Sequence, residues 1–214
     1  MDKLPRTRRD PRREQTRRAL IAAAEALFGD HGIEHVTVRQ IAAAIGSANN
    51  NVVSYHFGGK DALIEAIFDW RLPELDRQRA AFLERALAAG RADELSTLLE
   101  ATWRPSFELI DDAGRRGFAL FLRAVLHDRY GHLRRAMRGR TPHTEAISAR
   151  ILDLVAQRVD ESTARRRLDV VSAMMLDAIS LTGGADEAAA EALFRDALAM
   201  SAAALTAPAA DSGV

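Results

Sequence analysis

Apolar side chains recur along the chain with the spacing of a helix rather than that of a strand. The clearest example is a predicted face made of Val38, Ile41, Ala42 and Ile45. These positions follow i, i+3, i+4, i+7, which places them on one side of a helix. No segment alternates apolar and polar residues with the period of two that is typical of half-buried strands. The pattern therefore predicts an all-α fold.

Glycine and proline residues divide this helical pattern into segments. The predicted helices cover 13–29, a short helix from Thr37 to Gly46, 49–57, 60–89, 92–111, 114–128, 131–138, 143–159, 162–182 and 186–206. The same divisions predict four parts of the chain: a flexible basic arm (1–12), a helix-turn-helix domain (13–60), a larger helical bundle (61–206) and a disordered tail (207–214).

The second and third predicted helices form a helix-turn-helix pattern. Thr37 and Gln40 have the spacing of a capping box, in which each side chain bonds the other residue's backbone amide. Gly46 supplies the left-handed residue that ends the second helix, and Gly58 with Gly59 ends the third. Such a pair of short helices after a longer one is typical of DNA-binding domains.

The third predicted helix has two different faces. One side carries Val52, Val53, His56 and Phe57, and the opposite arc carries Asn50, Asn51, Ser54 and Tyr55. An asparagine side chain can donate to and accept from the edge of adenine in one plane. We therefore expect the polar arc to read bases and Asn49 to serve as the N-cap. The alternative is a solvated helix face with ordinary capping residues.

Positive charge is concentrated at the N-terminal end, although the chain has no net charge. Residues 1–60 hold 10 basic and 6 acidic side chains. Such an asymmetry is typical of a polyanion-binding end. Arg39, Lys60 and the arm are expected to supply affinity for phosphate, with Arg6, Arg8, Arg9 and Arg12 as arm contacts. The alternative function is a helical interaction module whose arm binds acidic partners or membrane lipid without DNA sequence specificity.

The chain lacks the common signatures of catalysis. It has no cysteine, which excludes disulfides and cysteine-ligated metals. His31 and His35 have metal-binding spacing, but Gly32 breaks the helix that this spacing requires. We therefore expect no enzyme activity, no cofactor and no metal. Because no apolar run approaches the roughly 20 residues of a membrane span, a cytoplasmic protein without membrane contact is expected.

Residues 15–68 resemble the DNA-binding domain of the tetracycline-repressor (TetR) family. The matching text is Thr16–Phe28, Thr37-Val38-Arg39-Gln40-Ile41-Ala42, Tyr55-His56-Phe57 and Gly59-Lys60-Asp61-Ala62-Leu63. The turn before the third helix, 47–53, is one residue longer than is usual in the family, and Ser54 replaces the usual tyrosine. A variant subgroup with an Asn-Asn start to the recognition helix is the most similar.

This resemblance implies a dimeric regulator, expected to be a repressor, that binds an inverted-repeat operator in double-stranded DNA. It implies phosphate or base contacts at Thr37 and Arg39, groove contacts from the third helix and a phosphate contact at Lys60. The full set of expected DNA-binding residues is Thr37, Arg39, Asn49, Asn50, Asn51, Ser54, Tyr55, His56 and Lys60.

The resemblance also implies that the C-terminal part senses a small effector and forms the dimer. An apolar effector would contact Trp103, Phe107, Phe118, Phe121, Leu122, His127, Met174, Met175 and Asp177. The last two long helices would pair with their mates through Leu168, Val171, Ala189, Leu193 and Ala199. Both sets have an alternative interpretation as ordinary core of a single chain.

Overall fold

A computed structural model of the chain describes residues 10–127, 130 and 139–209. These residues form α-helices and connecting turns, and no strand occurs among them, as the sequence pattern predicts. The helices are α1 (Pro11–His31), α2 (Val38–Ala44), α3 (Val52–Phe57), α4 (Lys60–Ala88), α5 (Leu95–Glu108), α6 (Gly117–His127), α7 (Pro142–Ala156), α8 (Glu161–Leu181) and α9 (Glu187–Thr206).

Most helices begin or end within a few residues of the predicted boundary. At the N-terminus, α1 begins at Pro11 because the side chain of Asp10 accepts a hydrogen bond from the amide of Arg12 and caps the first turn. Arg12 is therefore part of α1 rather than of the predicted arm. The predicted helix at 131–138, the arm residues before Asp10 and the end of the tail lie outside the described residues.

The N-terminal helices share a core that the C-terminal part completes. Leu20 and Phe28 of α1, Ile41 of α2, Val53 of α3 and Ile64 of α4 are fully buried together. Four buried residues of α6 close this core from the other side, namely Phe118, Phe121, Ala124 and Val125. The ring of Phe121 lies 6.3 Å from that of Phe28 and 5.3 Å from that of Phe68.

A second core lies between α5, α7, α8, α9 and the opposite face of α6. Phe107 of α5 stacks on Phe194 of α9, with ring centroids 4.3 Å apart. The guanidinium of Arg104 covers Phe194 and that of Arg116 covers Phe107, at 4.5 and 4.1 Å from the ring centroids. This four-layer stack fixes α9 on α5. Helix α6 contributes to both cores, and Leu122 packs against each of them.

Helix α4 connects the two regions through buried polar contacts. Near its middle, Arg71 donates two hydrogen bonds to the buried carboxylate of Glu25 in α1, at 2.7 and 2.8 Å. Farther along, Arg79 donates to the carbonyl of Thr102 and the hydroxyl of Thr144. Burial lowers the pKa of Arg79 to about 10, which still leaves it charged near neutral pH. The same helix is thus bound to α1 at one point and to α5 and α7 at another.

Candidate DNA-binding surface

The turn between α2 and α3 is built by local hydrogen bonds. The amide of Gln40 donates to Thr37 Oγ1 at 3.3 Å, and the amide of Thr37 donates to Gln40 Oε1 at 2.8 Å. This confirms the predicted capping box. Gly46 has φ +71°, the left-handed conformation expected after α2. Helix α2 therefore has a fixed start and a fixed end, and the chain turns directly toward α3.

The start of α3 is different from the prediction. Asn51, not Asn49, occupies the N-cap position, and its side chain makes no capping hydrogen bond. The side chain of Asn49 instead accepts from the amide of Asn51 at 2.9 Å, forming a local turn. Asparagine favours such turns over helix interiors because its side chain competes for backbone amides. The predicted N-cap role of Asn49 was wrong, and Asn50 lies in this turn rather than in the helix.

The polar arc of α3 faces solvent, and the apolar side is buried. Val52 and Val53 pack into the first core. The predicted base-reading side chains are exposed, namely Asn50, Asn51, Ser54 and Tyr55, and so is Asn49. Tyr55 is the one aromatic residue of this set, and 69% of its surface is exposed. The surface could therefore enter a DNA groove without unpacking the core.

Arg13 lies beside this polar arc, whereas the predicted lysine contact points inward. Thr37 and Arg39 are exposed at the start of α2, as a DNA contact requires. Arg13 of α1 places its guanidinium 5.6 Å from the ring of Tyr55. Lys60 Nζ donates to the carbonyl of Ile33 and lies 5.6 Å from the ring of Phe28. Lys60 therefore has an internal role that the sequence did not predict.

Other predicted arm contacts, at Arg6, Arg8 and Arg9, lie outside the described residues. Arg12 is described and exposed in the first turn of α1. Sequence reasoning missed Arg13 and Arg17 as neighbours of α3. The sequence did carry a signal for this pair: Arg13 and Arg17 are spaced i, i+4, and residues with this spacing share one face of a helix.

His56 is half-buried between α3 and α1. Its Nδ1 atom is buried and has no hydrogen-bond partner. Burial, and then the positive charges of Arg13 and Arg17, lower the pKa of His56 below 6.5. The imidazole is therefore mainly neutral near neutral pH. An approaching phosphate would counteract the two arginines and favour its protonation.

The residues predicted to line an effector pocket are mostly packed in the cores. Phe118 and Phe121 belong to the first core, and Phe107, Trp103 and Met175 belong to the second. Leu122 and Met174 are half-buried at the edges. The side chain of His127, another predicted pocket residue, lies outside the described part of the structure.

Asp177 lies apart from these aromatic side chains. Its carboxylate is 51% exposed and lies 4.0 Å from the guanidinium of Arg123. Both residues line an open cavity of about 340 Å³, together with the end of α1 and its C-cap, from Gly29 to Gly32. Asp177 is therefore about half exposed rather than packed in either core.

The residues predicted to form a dimer interface differ in exposure. Ala189 and Ala199 of α9 are exposed, and Leu168 and Leu193 are half-buried. Val171 is 1% exposed, because it packs inside the chain's own second core.

Two apolar side chains beside them were not predicted. Val170 of α8 is 67% exposed and Met200 of α9 is 52% exposed. Val170 lines a shallow apolar cavity of about 230 Å³ with Ala204. A helical wheel of α8 could have shown that Val170 and the buried Val171 point in different directions, because adjacent residues of a helix point about 100° apart.

This arrangement of α1 to α3 is a helix-turn-helix with an exposed polar arc on the third helix and Arg13 of α1 beside it. Residues 20–67 match the family model described as bacterial regulatory proteins, tetR family. The resemblance seen in the sequence is thus confirmed for this segment, which is similar to the DNA-binding part of that family. The Asn-Asn subgroup remains a prediction.

One similar curated protein is a regulator of transcription. The chain is 39% identical over 83 residues to the HTH-type transcriptional dual regulator CecR of Shigella flexneri. That alignment covers 37% of this chain and 36% of CecR, so the chain spans about a third of this relative's length.

Two solved structures align over most of the chain at low identity. NalD of Pseudomonas aeruginosa, the secondary repressor of the MexAB-OprM multidrug efflux pump, is 22% identical with a TM-score of 0.48 and covers 87% of this chain and 96% of its own. The multidrug binding protein EbrR, complexed with imidazole, is 23% identical with a TM-score of 0.44 and covers 93% and 97%. None of the helices in the described part of the chain has both the length and the apolar content needed to cross a bilayer.

Proposed function

We propose that the chain is a DNA-binding transcriptional regulator of the TetR family, and that it acts as a repressor on an inverted-repeat operator. The observation that carries this proposal is the exposed polar arc of α3, which follows the capped helix α2, together with two exposed arginines, Arg39 of α2 and Arg13 of α1. Uncharged amide and hydroxyl groups suit base edges, and the arginines suit phosphates.

The proposed active form is a homodimer joined through α8 and α9. Exposed alanines permit close approach of two helices, and the exposed side chains of Val170 and Met200 supply apolar surface. A symmetric dimer presents two recognition helices, and these match two half-sites of an inverted repeat. A single helix-turn-helix buries only about 600–1,000 Å² on DNA, so one unit alone would bind weakly.

The proposed signal is a small, largely apolar effector that releases the protein from DNA. It would act by favouring a dimer geometry whose recognition helices no longer match the half-site spacing. A tenfold loss of DNA affinity needs only about 1.4 kcal/mol of difference between the two states. Helix α4 offers a physical connection, because it is bound both to α1 and to the C-terminal helices.

Selection of bound fragments from random or genomic DNA tests the proposal. An inverted repeat among the selected fragments is the expected result. Retention without sequence preference would instead favour the alternative, an interaction module whose basic arm binds polyanions. Asn50→Ala and Asn51→Ala should each cost about 1–3 kcal/mol on the selected duplex if that side chain reads a base, and little on random DNA. Gln157→Ala removes an exposed amide that follows α7 and serves as the control.

Sedimentation tests the dimer. Ala189→Arg adds a charge at an exposed position, so the monomer should still fold. It should convert a dimer to monomers and weaken operator binding by orders of magnitude, and Leu193→Glu should do the same. Ala156→Arg, at another exposed alanine, should leave the dimer intact. A wild type that is monomeric on and off DNA would overturn the two-half-site mechanism.

A further inference from the structure

Helix α3 is too short to hold its own position. It has six residues, Val52–Phe57, and an isolated helix of this length is not stable in water. Its N-cap residue, Asn51, provides no side-chain hydrogen bond. Two buried valines fix one side of its first turn. The orientation of α3 must therefore also depend on contacts made by its last turn.

The last turn of α3 is bound by one side chain of α1. Arg17 Nη1 donates a hydrogen bond of 2.9 Å to the carbonyl oxygen of His56. The guanidinium of Arg17 also lies 4.3 Å from the centroid of the Phe57 ring. The last carbonyls of any helix lack partners within the helix, and a cation at this end opposes the partial negative charge of the helix dipole. Arg17 meets both needs at once and is itself half-buried.

We propose that Arg17 is a positioning residue for DNA recognition: it fixes the direction of α3 from α1 by capping the His56 carbonyl and stacking on Phe57. The proposal rests on the proposed DNA-binding function and names a residue outside the set expected to contact DNA. The planar guanidinium is needed, because only it can donate to the carbonyl and lie flat on the ring together.

A direct phosphate contact is the competing role for an arginine at this place. The two roles differ in what they change. Loss of a phosphate contact weakens binding to all sequences alike and lowers the log–log salt slope by roughly 0.9 per subunit. Loss of a positioning residue reduces the preference for the selected duplex over random DNA, because a tilted α3 no longer aligns its side chains with base edges. The salt slope then stays unchanged.

The test compares Arg17→Ala, Arg17→Lys and wild type on a duplex selected by the wild-type chain and on random-sequence duplex, across a salt series. We expect Arg17→Ala to reduce the ratio of specific to random affinity about tenfold, which corresponds to roughly 1.4 kcal/mol. Arg17→Lys should recover part of this loss, because the ammonium can still donate to the carbonyl but cannot stack flat. Arg18→Ala is the matched control, since Arg18 is the exposed neighbour on α1 and pairs only with Glu14 among the contacts described.

Amide hydrogen exchange of the DNA-free protein gives a second readout that does not depend on the proposed function. Arg17→Ala should speed exchange at Tyr55 and Gly58, whose amides bond to the carbonyls of Asn51 and Ser54, and Arg18→Ala should not. Unchanged exchange, an unchanged affinity ratio, or an equal loss on both duplexes with a lower salt slope would each overturn the proposal. A wild type that selects no duplex would refute the proposed function, while the exchange result would still decide the role of Arg17 in positioning α3.

Discussion

Replacing Gly29 by alanine should destabilise the protein even though alanine is the better helix former. Gly29 lies near the end of α1, where the helix passes close to α6. An added Cβ would lie 2.8 Å from Leu120 Cβ and 3.2 Å from the backbone nitrogen of Phe121. The first distance is far shorter than an ordinary carbon–carbon contact, and neither neighbour is the free end of a flexible side chain.

Two opposing contributions set the size of the effect. Alanine gains about 1 kcal/mol over glycine within a helix. Forcing an extra carbon into a packed interface costs about 1–3 kcal/mol. With a mid-range clash of about 2 kcal/mol, the net loss is about 1 kcal/mol, which lowers the Tm of a chain of this size by about 2–4 °C.

Thermal melting followed by circular dichroism measures this loss. Gly59→Ala is the control, because an added Cβ at Gly59 meets nothing within 4 Å and the backbone there is extended. The Gly29→Ala penalty should shrink in a Leu120→Gly background, where the nearest carbon is absent. A Gly29→Ala variant that melts at or above the wild-type temperature would refute the close approach of α1 and α6.

Three other predictions concern separate contacts. Glu25→Ala should cost about 3 kcal/mol in urea denaturation, because it leaves Arg71 mostly buried without its carboxylate, and the double replacement should cost less than the sum of the single ones. The pKa of His56 in the folded protein lies below 6.5, so the unfolded chain binds more protons at this residue. The contribution of His56 to the free energy of unfolding should therefore be fully present above about pH 6.5 and be lost as the pH falls below it, and His56→Gln should flatten this slope. Arg167→Ala removes hydrogen bonds to three carbonyls at the end of α9 and should speed amide exchange there, whereas Arg166→Ala should not.

Local features of α2 and of the turn to α3 were predictable because the residues that form them are close in sequence. Thr37 and Gln40 are three residues apart, and their capping box follows from residue type and spacing alone. The start of α3 was less predictable. Three successive asparagines can either cap a helix or form a turn. In the structure they form a turn, which is stabilised by the hydrogen bond from the Asn51 amide to the Asn49 side chain.

Contacts between distant residues could not be derived from the sequence. Glu25 is an acid within an apolar stretch, but its partner, Arg71, is 46 residues away. Arg17 and the His56 carbonyl are 39 residues apart. Helical periodicity identifies a face without saying which other face covers it. For the same reason, the aromatic residues of α5 and α6 were recognisable as apolar but not as members of two different cores.

The double membership of α6 limits how the chain can be divided and recombined. A fragment ending near Lys60 would keep α1 to α3, but it would lose Phe121, which packs on Phe28, and the other α4 and α6 residues that complete the same core. Such a fragment would be prone to aggregate, since the exposed apolar surface is contiguous. A chimaera that joins α1 to α3 to a foreign helical domain should therefore carry α4 and the α1-facing side of α6 with it. The unit that can be exchanged is defined by a packed surface and not by a stretch of consecutive residues.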